Sequence, residues 1–176
     1  MDFVREQLSN IDNHHYLTIV FGKHNENNFE ANIGKEKFVD IYNQFINNEK
    51  IKNETITTDV YRDYINNGVT YRCRNNGVNC FSEDTVECEF TDINGKNAYI
   101  FLTENTDHQI DHFPIDKEMD DIKEKSEIII NIDNLFNVVF LTYNDQIYYY
   151  KIVIQKYNIY GDKLISRLEE IINQLS

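Results

Sequence analysis

The sequence predicts an α+β chain built on an antiparallel β-barrel or strongly curved sheet, with flanking helices that include one at the C-terminal end. Three observations carry this expectation. From Thr55 to Gln155 the apolar residues recur with a period of two, as in half-buried strands. Asn-Gly and Asn-Asp steps punctuate that stretch at hairpin spacing, because both residue types tolerate the positive φ of tight turns. Helical spacing of apolar residues, by contrast, occurs near the two ends of the chain.

The elements follow in order. Phe3, Val4, Leu8 and Ile11 predict a short helix within Met1–Asp12. Leu17–Phe21 is an apolar strand closed by Gly22, and the polar Lys23–Asn27 run reads as a turn. Phe29–Ile33 alternates like a strand, Gly34 stops it, and Phe38, Ile41, Tyr42 and Phe45 begin a helix that ends at Asn47-Asn48-Glu49-Lys50. Thr55–Tyr61 and Val69–Arg74 pair through Asn66-Asn67-Gly68, with a further turn at Asn75-Asn76-Gly77. Thr85–Phe90 turns at Asn94-Gly95 into Ala98–Thr103. The irregular Glu104–Lys125 region holds the single proline, Pro114, and a charged run over Asp116–Lys125 that reads as a solvated face. Glu127–Ile132, Asn137–Thr142 and Gln146–Gln155 complete about eight or nine strands. Asp162 is placed to cap a last helix whose stripe is Leu164, Ile165, Leu168, Ile171, Ile172 and Leu175.

Composition narrows the function classes. With 176 residues, 41% hydrophobic residues, one Pro and six Gly, the chain reads as a single domain spanning 1–176. A net charge of −13 disfavours broad DNA binding and contact with anionic membranes, both of which need an electropositive footprint. No apolar run approaches a transmembrane span, and the first residues lack the pattern of a signal peptide. Three cysteines without framework spacing (Cys73, Cys80 and Cys88) point to an intracellular, reducing location and read as strand or core residues.

Several side-chain groups are candidates for chemistry. Asn28, Glu30 and Asn32 share one strand face ahead of Gly34, a pattern that would hold a divalent metal if its members were acidic. Glu87 and Glu89 are paired carboxylates on one strand face, either a metal site or a solvated outer face. Arg72 and Arg74 share a face and would grip phosphate, or pair with Asp59, Asp63, Glu87 or Glu89. His14, His15 and His24, and His108 with His112, lack the setting of a zinc site and read as surface residues. Tyr148, Tyr149 and Tyr150 could supply an interaction surface, or fill the interior. P-loop, dinucleotide-binding, zinc-protease and nucleophile-elbow motifs are absent.

The order of these features resembles the tunnel triphosphatases, the metal-dependent RNA 5′-triphosphatases of viral, fungal and protozoan mRNA capping. The resemblance implies an eight-stranded antiparallel barrel whose first strand carries a Glu-x-Glu-x-Lys/Arg-x-Gly pattern and whose last strand carries a second pair of glutamates. Asn28–Gly34 takes the place of the first pattern, Val69–Arg74 that of a strand bringing basic residues inward, and Gln146–Gln155 that of the last metal-binding strand. Of the first pattern only Glu30 is acidic, and Tyr149–Ile154 has no carboxylate. Ile129 and Asn131 stand where the family places inward basic residues. The resemblance therefore implies a member that has lost its catalysis and acts as a structural or regulatory component through a protein partner, of viral or parasite origin, with no cofactor. An active phosphohydrolase is the alternative. It would use Mg²⁺ or Mn²⁺ at Glu30, Glu87 and Glu89, and Arg72 and Arg74 to bind triphosphate-ended RNA or a nucleotide. A small binding module of unrelated antiparallel fold is the third reading.

Overall fold

The structure, a computed structural model, describes residues 2–9, 15–25, 28–66, 69–74, 80–93, 95–106, 123–155 and 161–175. At 3, 24, 25, 28, 62–66, 69–74, 80–92, 104–106 and 123 only the backbone is described. In chain order the elements are α1 (Asp2–Ser9), β1 (His15–Phe21), β2 (Lys23–Asn25), β3 (Asn28–Glu30), α2 (Lys35–Asn48), a single 3₁₀ turn at Asn53–Thr55, β4 (Ile56–Asn66), β5 (Val69–Arg74), β6 (Cys80–Ile93), β7 (Lys96–Thr106), β8 (Lys123–Ile132), β9 (Phe136–Tyr143), β10 (Ile147–Gln155) and α3 (Asp162–Gln174).

Eight strands close into one antiparallel barrel in the order β1-β10-β9-β8-β4-β5-β6-β7, and β7 returns to pair with β1. The ring gives each wall strand a neighbour on both sides, although β5 and β6 meet at only three residue pairs, Tyr71–Ser82, Arg72–Phe81 and Cys73–Cys80. The turns follow from residues that tolerate positive φ. Asp133 and Asn134 (φ 53° and 60°) join β8 to β9, and Asn144 and Asp145 (both φ 52°) join β9 to β10.

Each wall strand has two faces, and they do different work. On β1, Leu17, Ile19 and Phe21 join a core cluster with Ile100, Ile130, Phe140, Ile152 and Ile154 from the other strands. The same cluster takes Phe38, Ile41 and Phe45 from α2 and Leu164, Leu168 and Ile172 from α3. An eight-stranded barrel has room inside for side chains or one small ligand but not for helices, so the helix-packed face is the outer one. The alternate positions, beginning with Tyr16, Thr18 and Val20, face the lumen. Arg167 of α3 ties this outer core together: its guanidinium donates to Glu49 at 2.7 Å, Asp133 at 2.8 Å and Glu170 at 2.8 Å.

Several expectations are corrected here. Phe29–Ile33 is not a wall strand. Only Asn28–Glu30 is extended, and it pairs with Lys23–Asn25, the segment expected to be a turn, in a separate two-stranded hairpin. A stretch with one buried-type residue in three cannot wall a barrel packed on one side and filled on the other. Asp162 does not cap α3. Gly161 is the N-cap residue with no side-chain bond, and Asp162 lies in the first turn, paired with Arg5 at 3.1 Å. The strands β6, β7 and β8 run further than alternation alone indicates, reaching Cys80–Ile93, Lys96–Thr106 and Lys123–Ile132.

Candidate functional site

The lumen is the place where the fold brings distant residues together. Register fixes its lining. Across β1 and β10, Tyr16 faces Gln155, Thr18 faces Val153 and Val20 faces Lys151. Across β1 and β7, Thr18 faces Phe101 and Val20 faces Tyr99. On the far wall Asp59 faces Glu127 and Tyr61 faces Lys125, while Glu127 in turn faces Leu141.

Two kinds of surface alternate around this interior. The β4–β8 wall is charged. Lys125 and Glu127 form an ion pair at 3.8 Å with side chains only 5% and 9% exposed, and Asp59 accepts a hydrogen bond from the Tyr61 hydroxyl at 2.9 Å. The β9–β10–β1 wall carries no carboxylate and includes aliphatic groups. Val20, Val139 and Leu141 are buried, yet they stand apart from the helix-packed cluster because their methyl groups turn inward. Three buried oxygens lack a hydrogen-bond partner here: the hydroxyls of Thr18 and Thr103 and Oε1 of Glu127. Polar atoms in such positions are ordinarily met by enclosed water.

The sequence candidates fall in several places. Glu30 is outside the barrel and exposed, its Oε1 accepting the Asn32 N–H at 3.0 Å. Asn32 is equally structural, since its Oδ1 accepts from the N–H groups of Gly34 and Tyr148, both at 3.0 Å. The backbone sets Arg72 opposite Asp63 and Arg74 opposite Tyr61, register positions of the lumen face. A bulge between Thr85 and Glu87 then shifts β6 by one residue. It puts Glu87 opposite Leu102 and Glu89 opposite Ile100, register positions of the outer face. The side chains of Arg72, Arg74, Glu87 and Glu89 lie outside the described residues, as do His14, His108 and His112 and the side chain of His24.

The three tyrosines do not form one exposed surface. Tyr149 belongs to the lumen face. Tyr148 packs on Phe38 (centroids 5.4 Å apart), and Tyr150 is only 5% exposed, stacked on Phe21 at 5.4 Å. The Tyr150 hydroxyl donates to the Leu175 carbonyl at 3.1 Å, and burial pushes its phenol up to about 12. The short i,i+2 period of a strand inevitably splits three consecutive residues between two faces.

Comparison with solved structures decides the fold. The S. pombe Pct1 RNA triphosphatase in complex with the Spt5 CTD superposes with a TM-score of 0.65 at 8% identity, over 98% of this chain and 87% of that one. The Mimivirus capping enzyme triphosphatase superposes with a TM-score of 0.63 at 14% identity, over 99% of this chain and 96% of that one. A second crystal form of it gives 0.62 at 15% identity, with the same coverage. The fold is that of the tunnel triphosphatases. No protein-family model matches the chain, and no curated protein sequence matches it.

The tunnel frame corrects the position of the first-strand pattern. The first barrel strand is β1, where Tyr16, Thr18, Val20 and Gly22 have the spacing of the Glu-x-Glu-x-Lys/Arg-x-Gly pattern, while Asn28 and Glu30 belong to a hairpin outside the barrel. Both stretches end on a glycine at the same spacing. The signal that separates them is burial: Leu17–Phe21 is buried at every residue. In the last strand the lumen positions are Tyr149, Lys151, Val153 and Gln155. Together β1 and β10 offer phenols, a hydroxyl, an amine and an amide, without one carboxylate. A divalent cation needs several hard, preferably anionic oxygens, so this donor set does not fit the metal that the tunnel triphosphatases use. Among the described residues no three His, Cys, Asp or Glu side chains group to hold a metal. Among the described side chains Lys125 is the inward basic residue of β8, on the same face as Ile129 and Asn131 where the expectation was centred.

Proposed function

We propose that this chain is a tunnel-triphosphatase-like domain without triphosphatase catalysis, an intracellular structural or regulatory component that works through contact with a protein partner. The observation that carries the reading is the β1–β10 floor of the lumen, where Thr18 faces Val153 and Val20 faces Lys151. Metal-assisted phosphoryl hydrolysis needs an ion to neutralise the phosphate oxygens and to activate water. A floor of valines, one hydroxyl and an ammonium supplies neither. Val20, Val139 and Leu141, buried on the lumen face, support the same reading, since their apolar groups offer a phosphate chain no polar contact. A protein partner is compatible with the fold, because the Pct1 structure was solved in complex with the Spt5 CTD. A fold can outlast its site in this way.

An active phosphohydrolase has one observation in its favour, the lumen carboxylates Asp59 and Glu127 opposed across β4 and β8. Each is already engaged, by Tyr61 and Lys125. The decisive assay measures phosphate release from nucleoside triphosphate and triphosphate-ended RNA with Mg²⁺ or Mn²⁺. The expected result is no turnover above the metal-free control. Metal-dependent turnover that disappears in Glu127→Gln would overturn the proposal, and so would a metal-induced rise in melting temperature that the same variant removes.

A further inference from the structure

Outside the lumen, β1 ends at Gly22 against the β2–β3 hairpin. The space between these strands, α2 and the end of α3 is a cavity of about 370 Å³. That volume is within the range of small-ligand sites. A Cβ on Gly22 would overlap the Glu30 carbonyl oxygen, so the hairpin is held close against β1 and this wall of the cavity is fixed. Phe21 and Tyr150, stacked on one another, contribute to its apolar lining.

Three lysines line the same cavity from three elements: Lys23 from β2, Lys37 from α2 and Lys96 from β7. This is a local excess of positive charge in a chain of net charge −13. Lys96 is committed to the fold, donating to the carbonyls of Ile172 and Leu175 at the end of α3. Lys23 and Lys37 are exposed, and their side chains have no ion pair or hydrogen bond among the described residues. Among the described residues Glu30 is the single carboxylate in the lining. It lies directly across from Lys23 in the hairpin register, yet its Oε1 is taken by the Asn32 N–H.

We propose that this cavity binds a small organic anion, with its phosphate or carboxylate head between Lys23 and Lys37 and its apolar body over the Phe21–Tyr150 lining. The site is separate from the lumen, so its success or failure leaves the catalytic question untouched. Glu30 then weakens the ligand by repulsion instead of holding a metal, and that reversal of role gives the sharpest test.

Phenyl phosphate and benzoate distinguish the two head groups, and inorganic phosphate reports the head alone. Each is titrated into the full chain by calorimetry at constant ionic strength. The expected result is binding of at least one aromatic anion in the millimolar range or tighter, and more weakly of inorganic phosphate. Lys23→Glu with Lys37→Glu lowers affinity about tenfold or more, while the charge-matched Lys52→Glu with Lys163→Glu leaves it within about twofold. Glu30→Gln keeps the bond to Asn32 and tightens binding by about two- to fivefold. No binding to the wild type at 10 mM (roughly the weak end of specific affinity), equal losses in the two double variants, or unchanged or weaker binding in Glu30→Gln would each overturn the proposal. The last test stands even if the Lys23/Lys37 variant does not fold.

Discussion

Leu141→Ala tests whether the barrel is filled or open. Leu141 is fully buried on the lumen face, opposite Glu127 on β8 and Tyr149 on β10. Burying a leucine side chain is worth about 1.5–3 kcal/mol in transfer alone. Truncation in a core costs roughly 2–5 kcal/mol, and more where the surroundings cannot collapse into the void. The walls here are hydrogen-bonded strands on both sides of the residue, closed into a ring, so the void persists and the upper part of that range applies. The expected loss is about 3–4 kcal/mol, or roughly 6–16 °C in melting temperature for a chain of this size. Urea denaturation followed by far-UV circular dichroism measures it as a shift in midpoint at unchanged slope. A loss below about 1 kcal/mol would mean that the Leu141 methyl groups face water and the lumen is open. The filled-lumen support for a non-catalytic domain would then fall.

Other perturbations probe the scaffold around the two sites. Arg167→Ala removes the shared partner of Glu49, Asp133 and Glu170 and leaves Glu49, with a side chain only 8% exposed, facing no cation; the expected cost in urea denaturation is about 3 kcal/mol. Arg5→Ala breaks a pair whose side chains are 55% and 93% exposed and is expected to be almost silent in the same assay. Gly22→Ala forces the β2–β3 hairpin off β1 and is expected to cost about 1–3 kcal/mol, while also widening the anion cavity. The Tyr150 phenol titrates near 12 in the folded chain, above its ordinary value of 10. The folded state therefore holds this proton more tightly, and the stability it contributes is complete below pH 10 and lost as pH rises toward 12. Lys96, lowered by burial, acts in the opposite sense over neighbouring pH, so the comparison is between Tyr150→Phe and wild type. The variant should show the flatter decline in melting temperature from pH 10 to 12.

The sequence by itself determined the strand-rich middle, the hairpin turns and the closing helix. These depend on local rules: alternation for strands, positive φ at Asn144 and Asp145, and the 3.6-residue stripe from Leu164 to Leu175. It also determined that Tyr149–Ile154 brings no carboxylate to the last strand, since that is a matter of residue identity. Tertiary structure decided which short stretch is the first wall strand. Tyr16–Gly22 and Asn28–Gly34 share the same spacing to a glycine, and only burial on both faces marks a barrel wall. It also decided which face of each strand looks inward. Thr18, Lys151, Lys125 and Leu141 are far apart in the chain and meet because eight registers close into a ring, and one bulge near Glu87 is enough to exchange the two faces of β6. Glu30 shows the limit most clearly: its residue type suggested a metal ligand, but its place in a two-stranded hairpin opposite Lys23 puts it outside the barrel.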